Sequence, residues 1–431
     1  MKKIITLFSL LLLLSCSKDD ENNEVAPVDL VITNISPASG PKNTPVTIIG
    51  SGFSSVSSEN AVTINGKVCP VINSTSTQLT ITIPPSAGSG NIKVAVNNTS
   101  AESNNFDFRV TTTVTTIAGG ASGYVDGQGS AARFDLASDL TIDSEGNLFV
   151  VDTRNNKIRK ISPTGLVTTI AGSTLGQVDG QGILAKFGSP NGIAIDTEGV
   201  LFVSEGSSST IRRISLTGFV RTYSGSLPSG FADGRTENAK FQSPRGMTID
   251  ASGNLFIADI FNYKIRKISI NGDVTTVAGT TRGFADGQAS NAQFDLPSGI
   301  VLDKAGNLFV ADLGNHKIRK ISPDGLVSTL AGSTQGFADG QGAAAKFNIT
   351  NRITIDGEGN LFVSDFDKIR KISSTGLVTT VAGSTTGFKD GIGSSAQFNN
   401  IHGITIDKLG NLYVTDNDDT GSDRIRKITF D

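Results

Sequence analysis

A four-residue phrase, Asn147-Leu148-Phe149-Val150, returns five more times along the chain with small changes. The copies begin at residues 147, 200, 254, 307, 360 and 411, so the spacings are 53, 54, 53, 53 and 51 residues. Each copy belongs to a set of four short apolar segments, which in the second copy are 192–196, 201–203, 211–214 and 220–223. Four short strands repeated six times predict an all-β fold, the six-bladed β-propeller, with one blade per repeat.

The register of the repeat predicts how the ring closes. The last apolar segment, 425–430, corresponds to a third strand, whereas the repeat region opens with a fourth-strand phrase, Val114-Thr115-Thr116-Ile117-Ala118-Gly119. We expect strand 114–119 to complete the sixth blade, because that pairing removes two open sheet edges.

Four phrases of the repeat carry a family resemblance. Ile-Asp, Gly-Asn-Leu-Phe-Val, Ile-Arg-Lys-Ile and Val-Thr-Thr-Ile-Ala-Gly together resemble the NHL repeat. The resemblance covers residues 114–431 and implies an NHL-type propeller over that range.

Residues 27–110 form a separate β region. Alternating apolar and polar residues at 46–49, 61–64, 79–83 and 92–96, bounded by Gly, Pro, Asn and Ser, predict a β-sandwich. The pieces Ile35-Ser36-Pro37-Ala38-Ser39-Gly40-Pro41 and Val46-Thr47-Ile48-Ile49-Gly50-Ser51-Gly52-Phe53 resemble the opening of IPT/TIG immunoglobulin-like domains. The expected architecture is therefore an immunoglobulin-like β-sandwich followed by a six-bladed β-propeller.

The N-terminus predicts export. Lys2 and Lys3 precede the apolar run 4–14, which is shorter than the roughly 20 residues that a membrane span needs. The run ends in Leu13-Leu14-Ser15-Cys16, which resembles the lipobox of bacterial lipoproteins. The resemblance implies that residues 1–15 are a signal peptide and that Cys16 carries a lipid anchor. An ordinary secretory signal that happens to end in Cys is the alternative.

Residues 16–26 predict a flexible acidic tether, because they cannot bury apolar area. Cys16 followed by Ser-Lys-Asp-Asp-Glu resembles the tag that sends some lipoproteins to the outer face of the outer membrane, and a plain solvated linker is the alternative. With Cys16 lipidated, the remaining cysteine, Cys69, has no disulfide partner and is expected to be a small buried apolar residue.

The charge balance argues against a nucleic-acid partner. The chain has 37 basic and 40 acidic residues and a formal net charge of −3, without a basic block. A basic pair occurs once in each repeat, Arg212-Arg213 in the second and an Arg-Lys pair such as 159–160 in the others, and we expect these pairs to form solvated outer strands.

Motifs common to all six repeats are more simply explained by packing than by a binding site. The long loop of each repeat carries Asp-Gly, which predicts a turn, and a later phenylalanine such as Phe134, which is expected to fill the gap between blades. The carboxylate that ends each second strand, such as Asp152, is expected to cap a loop.

Candidate ligand residues lie where the repeats differ. The first strand of each blade lines the central channel, and three blades begin it with Pro-x-Gly, whereas the other three depart from that phrase. Polar residues at these starts predict a ligand site at one channel mouth, and sequence drift around a water-filled channel is the alternative. The candidates are Asp139, Asn191, Arg245, Asn351, Arg352 and His402, with Phe261 and Tyr263 from a neighbouring loop.

An acidic insertion in the sixth repeat resembles half of a calcium loop. Residues 416–421 read Asp-x-Asp-x-Thr-Gly, which implies Asp416, Asp418, Thr420 and Asp423 as calcium ligands. The distal Glu of such loops is replaced by Lys427, and an acidic loop without a metal is the alternative. No other cofactor is predicted.

These features favour a non-enzymatic surface lipoprotein that acts as a binding scaffold. The chain has two His residues and no Gly-x-Ser-x-Gly elbow, and the propeller region has no Cys. The ligand is left open between a glycan and a protein, since the absence of Trp and the four Tyr count against sugar stacking. The alternative is a propeller lyase or hydrolase at the same mouth, with His402 paired with Asp139 or Arg352.

Overall fold

The structure is a computed structural model that describes residues 29–85, 87–418 and 422–430. These residues form two compact units that divide between Val110 and Thr111. The described residues contain strands and short 3₁₀ turns but no α-helix, which confirms the all-β prediction. The expected signal peptide 1–15 and tether 16–26, including Cys16, lie outside the described residues.

The first unit is a sandwich of two sheets. One sheet contains, in spatial order, Val31–Ser36, Pro45–Ser51, Gln78–Thr82 and Val71–Ser74. The other contains Ser39–Gly40, Thr99–Phe108, Gly90–Val96, Asn60–Ile64 and Lys67–Val68. Alternate residues of both sheets pack into one apolar core, in which Cys69 is a buried free thiol whose pKa burial raises to about 11. The immunoglobulin-like sandwich is thus confirmed.

The second unit contains six antiparallel sheets among its described residues, one for each repeat. The strands are given from the channel outward. Blade 1 contains Ala137–Ile142, Leu148–Asp152, Lys157–Ile161 and Leu166–Ala171; blade 2 contains Pro190–Ile195, Leu201–Glu205, Thr210–Ile214 and Phe219–Ser224; blade 3 contains Pro244–Ile249, Leu255–Asp259, Lys264–Ile268 and Asp273–Ala278. Blade 4 contains Pro297–Leu302, Leu308–Asp312, Lys317–Ile321 and Leu326–Ala331; blade 5 contains Thr350–Ile355, Leu361–Asp365, Lys368–Ile372 and Leu377–Ala382; blade 6 contains Asn400–Ile406, Leu412–Asn417, Arg424–Phe430 and Thr112–Gly119.

The sixth blade closes as its register predicts. Strand Thr112–Gly119 pairs antiparallel with Arg424–Phe430, from Thr112 opposite Phe430 to Gly119 opposite Arg424. Asp390 also holds this strand, since its carboxylate accepts the Thr116 backbone N–H at 2.9 Å and the Thr116 hydroxyl at 3.0 Å. The N-terminal strand of the unit therefore seals the ring.

A short fifth strand lies at the outer edge of each blade. It comes from the long loop that precedes the blade, and each copy pairs with the blade's outermost strand. The six copies are Gly127–Gln128, Gly180–Gln181, Gly234–Arg235, Gly287–Gln288, Gly340–Gln341 and Gly391–Ile392. The 3₁₀ turns are Ser57–Glu59 in the first unit and, in the propeller, Gly129–Ala131, Gly182–Leu184, Ile260–Asn262, Leu313–Asn315, Gly342–Ala344 and Gly393–Ser395.

The apolar cores of the propeller lie between blades. The cluster between blades 1 and 2, for example, joins Phe149 and Val151 to Ile193 and Val203, and the loop residue Phe187 is fully buried within it. Equivalent clusters join every other neighbouring pair, including blades 6 and 1. The predicted role of the loop phenylalanines in filling the gaps is confirmed.

The first arginine of each basic pair is buried, so the prediction of solvated outer strands is wrong for that residue. In blade 1 the Arg159 side chain has 0% exposure, and its guanidinium contacts Asp152 and Asp126 at 2.7 Å each. It also donates to the carbonyl oxygens of Arg133 and Val125, and it lies 5.0 Å from the centre of the Phe134 ring. The other five blades repeat the arrangement with Arg212, Arg266, Arg319, Arg370 and Arg426.

Candidate functional site

Glycine occupies the same position near the start of four of the six channel strands, because neighbouring strands approach closely there. A Cβ on Gly192 would lie 2.2 Å from the Arg245 carbonyl oxygen, and one on Gly246 would lie 2.4 Å from the Ser298 carbonyl oxygen. Blades 1 and 5 carry Asp139 and Arg352 at this position instead of glycine. The two side chains therefore extend from the wall at the mouth of the channel.

Arg352 crosses the channel and joins three blades. Its Nε donates to Oδ2 of Asp139 in blade 1 at 2.9 Å, and both side chains are 7% exposed. Its Nη2 donates to the side-chain and main-chain oxygens of Asn191 in blade 2 at 2.8 and 3.1 Å. Blades 2 and 5 are opposite one another in a ring of six, so this cross-channel bridge of Arg352, Asp139 and Asn191 spans the full width.

Two further residues at the strand starts serve packing. The Asn351 side chain donates to the Ile401 carbonyl oxygen at 3.0 Å, and the Ser298 hydroxyl donates to the carbonyl oxygens of Thr350 and Asn351. Both residues are buried. The structure therefore places predicted site residue Asn351 between blades 5 and 6, with its amide nitrogen already bonded to protein.

The channel itself is narrow. A cavity of about 180 Å³ runs along the inner strands and is lined by residues from all six blades, including Asp139, Arg352 and Thr405. That volume accommodates only a few water molecules. The cross-channel bridge lies at one end of it, so ligand binding at this end has to take place outside the bridge.

Arg245 is a cation without a protein partner. Its side chain is half-buried and makes no hydrogen bond or ion pair with any described residue. Burial and the nearby Arg352 guanidinium lower its pKa to about 10, so the side chain remains charged at neutral pH. Asp139 is already bonded to Arg352, so the mouth carries more positive than negative charge.

His402 is a neutral imidazole at neutral pH. Burial, together with the charges of Arg352 and Arg245, lowers its pKa to about 4. Among the described residues, its ring makes no hydrogen bond to Asp139 or to any other side chain, so the acid–base pair of the enzyme hypothesis is not assembled in this structure.

A pocket of about 430 Å³ opens beside the bridge, between blades 1, 2 and 3. Serine hydroxyls and amide side chains dominate its lining, and one aromatic ring, Phe261, stands at its wall with 45% exposure. We call it the mouth pocket; it is lined by Thr153, Ser189, Asn191, Gly206, Ser207, Ser209, Ser229, Gln242, Ser243 and Phe261.

Several polar groups of the mouth pocket are unpaired. The side chains of Ser229, Gln242 and Ser243 make no hydrogen bond with any residue in the described part of the chain. Others are held in place: the Ser207 hydroxyl donates to the Ser189 hydroxyl at 2.9 Å, and the Ser209 hydroxyl accepts the Ser243 backbone N–H at 3.1 Å. The pocket thus combines fixed hydroxyls with free donors and acceptors.

Of the predicted mouth residues, Asn191 and Phe261 line the mouth pocket. Arg245 follows the pocket residue Ser243 by two positions, on the inner strand of blade 3. Tyr263 does not line the pocket; it adopts a left-handed backbone with φ of 56° and lies near Arg282 on the side towards blade 4.

The serines of the mouth pocket were not predicted, although the sequence carries a signal for them. Blades 1, 3 and 4 place an asparagine in the loop after the second strand, and Asn155, Asn262 and Asn315 each donate to a glycine carbonyl of the preceding loop. Blade 2 replaces this loop with Gly206-Ser207-Ser208-Ser209. That departure from the repeat marks the place where the pocket opens.

The calcium prediction concerns a loop that is only partly described, because Thr420 lies outside the described residues. The carboxylate of Asp416 is buried, accepts the Asn399 backbone N–H at 2.8 Å and pairs with Arg426 at 2.5 Å. Oδ1 of Asp418 accepts the Ser422 backbone N–H, and Oδ2 of Asp423 accepts that of Ala137. A calcium site here remains a prediction.

The described residues contain neither a cluster of metal ligands nor a helix that could span a membrane. No group of three or more His, Cys, Asp or Glu side chains is gathered closely enough there to hold a metal ion. No helix in the described ranges is long and apolar enough to cross a membrane.

A larger cavity lies at the opposite end of the propeller. It measures about 790 Å³ and has an apolar floor that includes Phe149 and Ile195, with Asp143, Glu145 and Glu198 at its rim. The carboxylate of Asp143 is bonded to the backbone and side chain of Asn147 in the turn between the first two strands, as its equivalents in the other blades are bonded in theirs. The mouth pocket adjoins the cross-channel bridge, at the end of the channel where the repeats differ, and is therefore taken as the candidate site.

Family models match both units of the chain. An IPT/TIG domain matches residues 30–110, and an NHL repeat matches residues 294–321, which lie in the fourth repeat. Human NHL repeat-containing protein 2 is 34% identical over 151 residues, which are 31% of this chain and 21% of that protein. The chain therefore contains an IPT/TIG domain followed by NHL repeats, and it spans about a fifth of the length of this relative.

Solved structures share the architecture. A structural genomics protein of unknown function from Bacteroides thetaiotaomicron superposes with a TM-score of 0.61 at 21% identity, covering 95% of this chain and 99% of that one. An auxiliary nutrient binding protein from the same organism gives 0.58 at 20% identity, covering 93% and 97%. Another, from Bacteroides ovatus, gives 0.57 at 20%, covering 94% and 98%. At these identities the likeness establishes the shared fold.

Proposed function

We propose that the propeller is a ligand-binding module whose site is the mouth pocket, and that its ligand is a saccharide. The observation that carries this proposal is the combination of unpaired polar side chains, on Ser229, Gln242 and Ser243, with one exposed phenyl ring in a pocket of about 430 Å³. Concave sites with a few convergent polar groups are typical of small-ligand binding.

The chemistry of the lining matches a sugar. Serine hydroxyls both donate and accept hydrogen bonds, as sugar hydroxyls do, and the Gln242 amide offers both functions from one side chain. Phe261 presents an apolar ring surface on which one face of a sugar ring can pack. A protein partner would need about 800 Å² of surface on each side of a stable interface, far more than this pocket offers.

Two of the solved structures that share this fold are described as auxiliary nutrient binding proteins, which agrees with a role in ligand capture. The bonding of Asp139 and the protonation state of His402 further support a binding role without turnover. Asp139 is bonded to Arg352, and burial with two nearby guanidinium groups keeps His402 neutral above its pKa of about 4. Neither is poised to exchange a proton with the other, which disfavours a lyase or hydrolase.

The proposed location is the outer surface of the outer membrane, with a lipid on Cys16. The support is the lipobox-like end of the signal and the acidic stretch that follows it. Replacing Cys16 by alanine should release the protein from the membrane fraction. Protease treatment of intact cells should degrade the wild-type protein, and protection from protease until the cells are lysed would contradict the outward orientation.

A glycan array probed with the chain from residue 29 to 431 tests the proposed function. We expect saccharide binding that Phe261→Ala and Gln242→Ala each weaken about 10-fold, as loss of one stacking or hydrogen-bond contact to a ligand does. Phe219→Ala is a matched control, because Phe219 has the same 45% exposure but lies on the outermost strand of blade 2. No binding to any glycan, or equal loss in the control, would contradict the proposal.

A further inference from the structure

Arg245 differs from Arg352 and from the six blade-core arginines in having no partner in the protein. Each of the six arginines in the blade cores contacts two carboxylates, as Arg266 does with Asp259 and Asp233. Arg352 contacts Asp139 and the side chain of Asn191. Arg245 contacts no carboxylate and no other hydrogen-bond acceptor among the described residues.

An unpaired arginine in this position is costly to the free protein. Both influences on its pKa, burial and the Arg352 charge, act against the charged form. A partly desolvated charge is normally compensated by an opposite charge, and the protein supplies none. An anion from outside the protein would remove that cost.

The main chain of Arg245 is fixed. Its carbonyl oxygen accepts a hydrogen bond from the Ser204 hydroxyl at 2.7 Å, and it packs so closely on Gly192 that no side chain would fit between them. The residue thus belongs to a rigid inner strand, and a site built on such an element holds its geometry without prior ordering.

Arg245 lies close in the chain to residues of the mouth pocket. Ser243, two residues earlier, lines the pocket, and so does Asn191, which touches Arg352. We propose that Arg245 binds a carboxylate of the saccharide that occupies the mouth pocket, so that the ligand is an acidic sugar such as a uronic acid. This inference rests on the proposed function and specifies the class of sugar.

The choice of a carboxylate follows from the donor set. A guanidinium offers two parallel N–H groups that match the two oxygens of a carboxylate, and this pairing is directional as well as charged. The neutral sugar hydroxyls would then face Ser243, Gln242 and Ser229, with Phe261 against the ring.

The test uses the same chain on an array that carries neutral glycans and uronate-containing glycans. We expect binding to be confined to carboxylate-bearing glycans. The strongest of these is then compared by calorimetry with its carboxyl methyl ester, which has the same stereochemistry but no charge. We expect the ester to bind about 10- to 100-fold more weakly, the range for loss of a hydrogen bond to a charged group.

Arg245→Gln should remove this discrimination, so that acid and ester bind the variant equally. Arg235→Gln is the matched control, since Arg235 belongs to the same blade but lies at its outer edge with 55% side-chain exposure. A thermal melt verifies that each variant is folded, and loss of wild-type affinity with rising salt is a measurement that needs no variant.

The outcomes separate the two proposals. Tight binding of neutral glycans or of the methyl ester would overturn the acidic-sugar inference and leave the proposed function intact. No binding to any glycan would overturn both. Retained discrimination in Arg245→Gln, or salt-independent affinity, would show that Arg245 does not bind the charge.

Discussion

We expect Arg266→Met to destabilise the propeller by about 3–5 kcal/mol, the cost of removing one partner from a buried ion pair. Methionine keeps the unbranched stem of the side chain but removes the contacts to Asp259 and Asp233 at 2.8 and 2.6 Å. Asp259 is fully buried and would be left without its cation. The carbonyl oxygens of Lys240 and Ala232 would also lose the hydrogen bond that each accepts from the guanidinium.

Thermal unfolding followed by circular dichroism measures this loss. Unfolding entropy scales with chain length, and for a unit of about 320 residues 1 kcal/mol corresponds to about 1.5 °C. The variant should therefore melt about 4–7 °C below the wild type. Lys267→Met is the matched control, because Lys267 is the next residue on the same strand, is only half-buried and makes no ion pair with the described residues. Its melting temperature should change by less than about 1 °C, since exposed charges contribute little.

A second substitution and a change of pH test whether the unpaired Asp259 carboxylate causes the loss of stability. Burial raises the pKa of Asp259 to about 6 even with Arg266 present, and loss of the arginine should raise it further. A carboxyl pKa raised in the folded state favours folding at low pH, and that advantage is lost as the pH rises through the folded pKa. The penalty of Arg266→Met should thus be larger at pH 8 than at pH 5.5, and adding Asp259→Asn should recover part of it. An unchanged melting temperature, or a further loss on adding Asp259→Asn, would refute the reasoning.

Two further predictions concern the channel and the closure. The His402 pKa is lowered to about 4 in the folded state, so stability present above the unfolded value of about 6.5 is lost as the pH falls through 4. Between pH 7.5 and 4.5 the loss of stability amounts to about 2.5 kcal/mol. On this acidification the melting temperature of His402→Gln should therefore fall about 4 °C less than that of the wild type. An equal fall in both proteins would contradict the shift. A chain that begins at residue 120 lacks the strand that pairs with Arg424–Phe430 and should aggregate or melt earlier, whereas a chain that begins at residue 111 should retain a folded propeller. Equal melting of the two truncated chains would contradict the closure.

The fold was largely predictable from the sequence, because a repeat of about 53 residues specifies the same four strands six times and leaves one register for closure. The burial of the blade-core arginines was not predictable from the sequence. Arg159 stands in a strand of basic and apolar residues, and one of its two counter-ions, Asp126, lies 33 residues earlier in a loop. Local pattern contains no information about that contact.

The candidate site was predictable in position but not in detail. Departures from Pro-x-Gly in the sequence mark the channel strands of blades 1 and 5, where Asp139 and Arg352 extend from the wall. Their mutual bond joins residues 213 positions apart, and only the closed ring brings them together. The mouth pocket lies beside a loop of blade 2 that lacks the asparagine of blades 1, 3 and 4, and the sequence alone does not show what that asparagine bonds to.

The ion pairs of the blade cores lie within single repeats, whereas the apolar clusters lie between neighbouring blades. Each of the six blade-core arginines takes both of its carboxylates from its own repeat, as Arg212 does with Asp179 and Glu205. The apolar clusters, in contrast, always join two neighbouring blades. A gene duplication or deletion that spans one whole repeat would therefore carry its blade-core arginine together with both counter-ions, whereas the Arg352–Asp139 pair belongs to two different repeats. The new junction would have to match two apolar faces of nearly identical composition, so a ring of this kind can gain or lose a repeat without leaving a blade-core arginine unpaired.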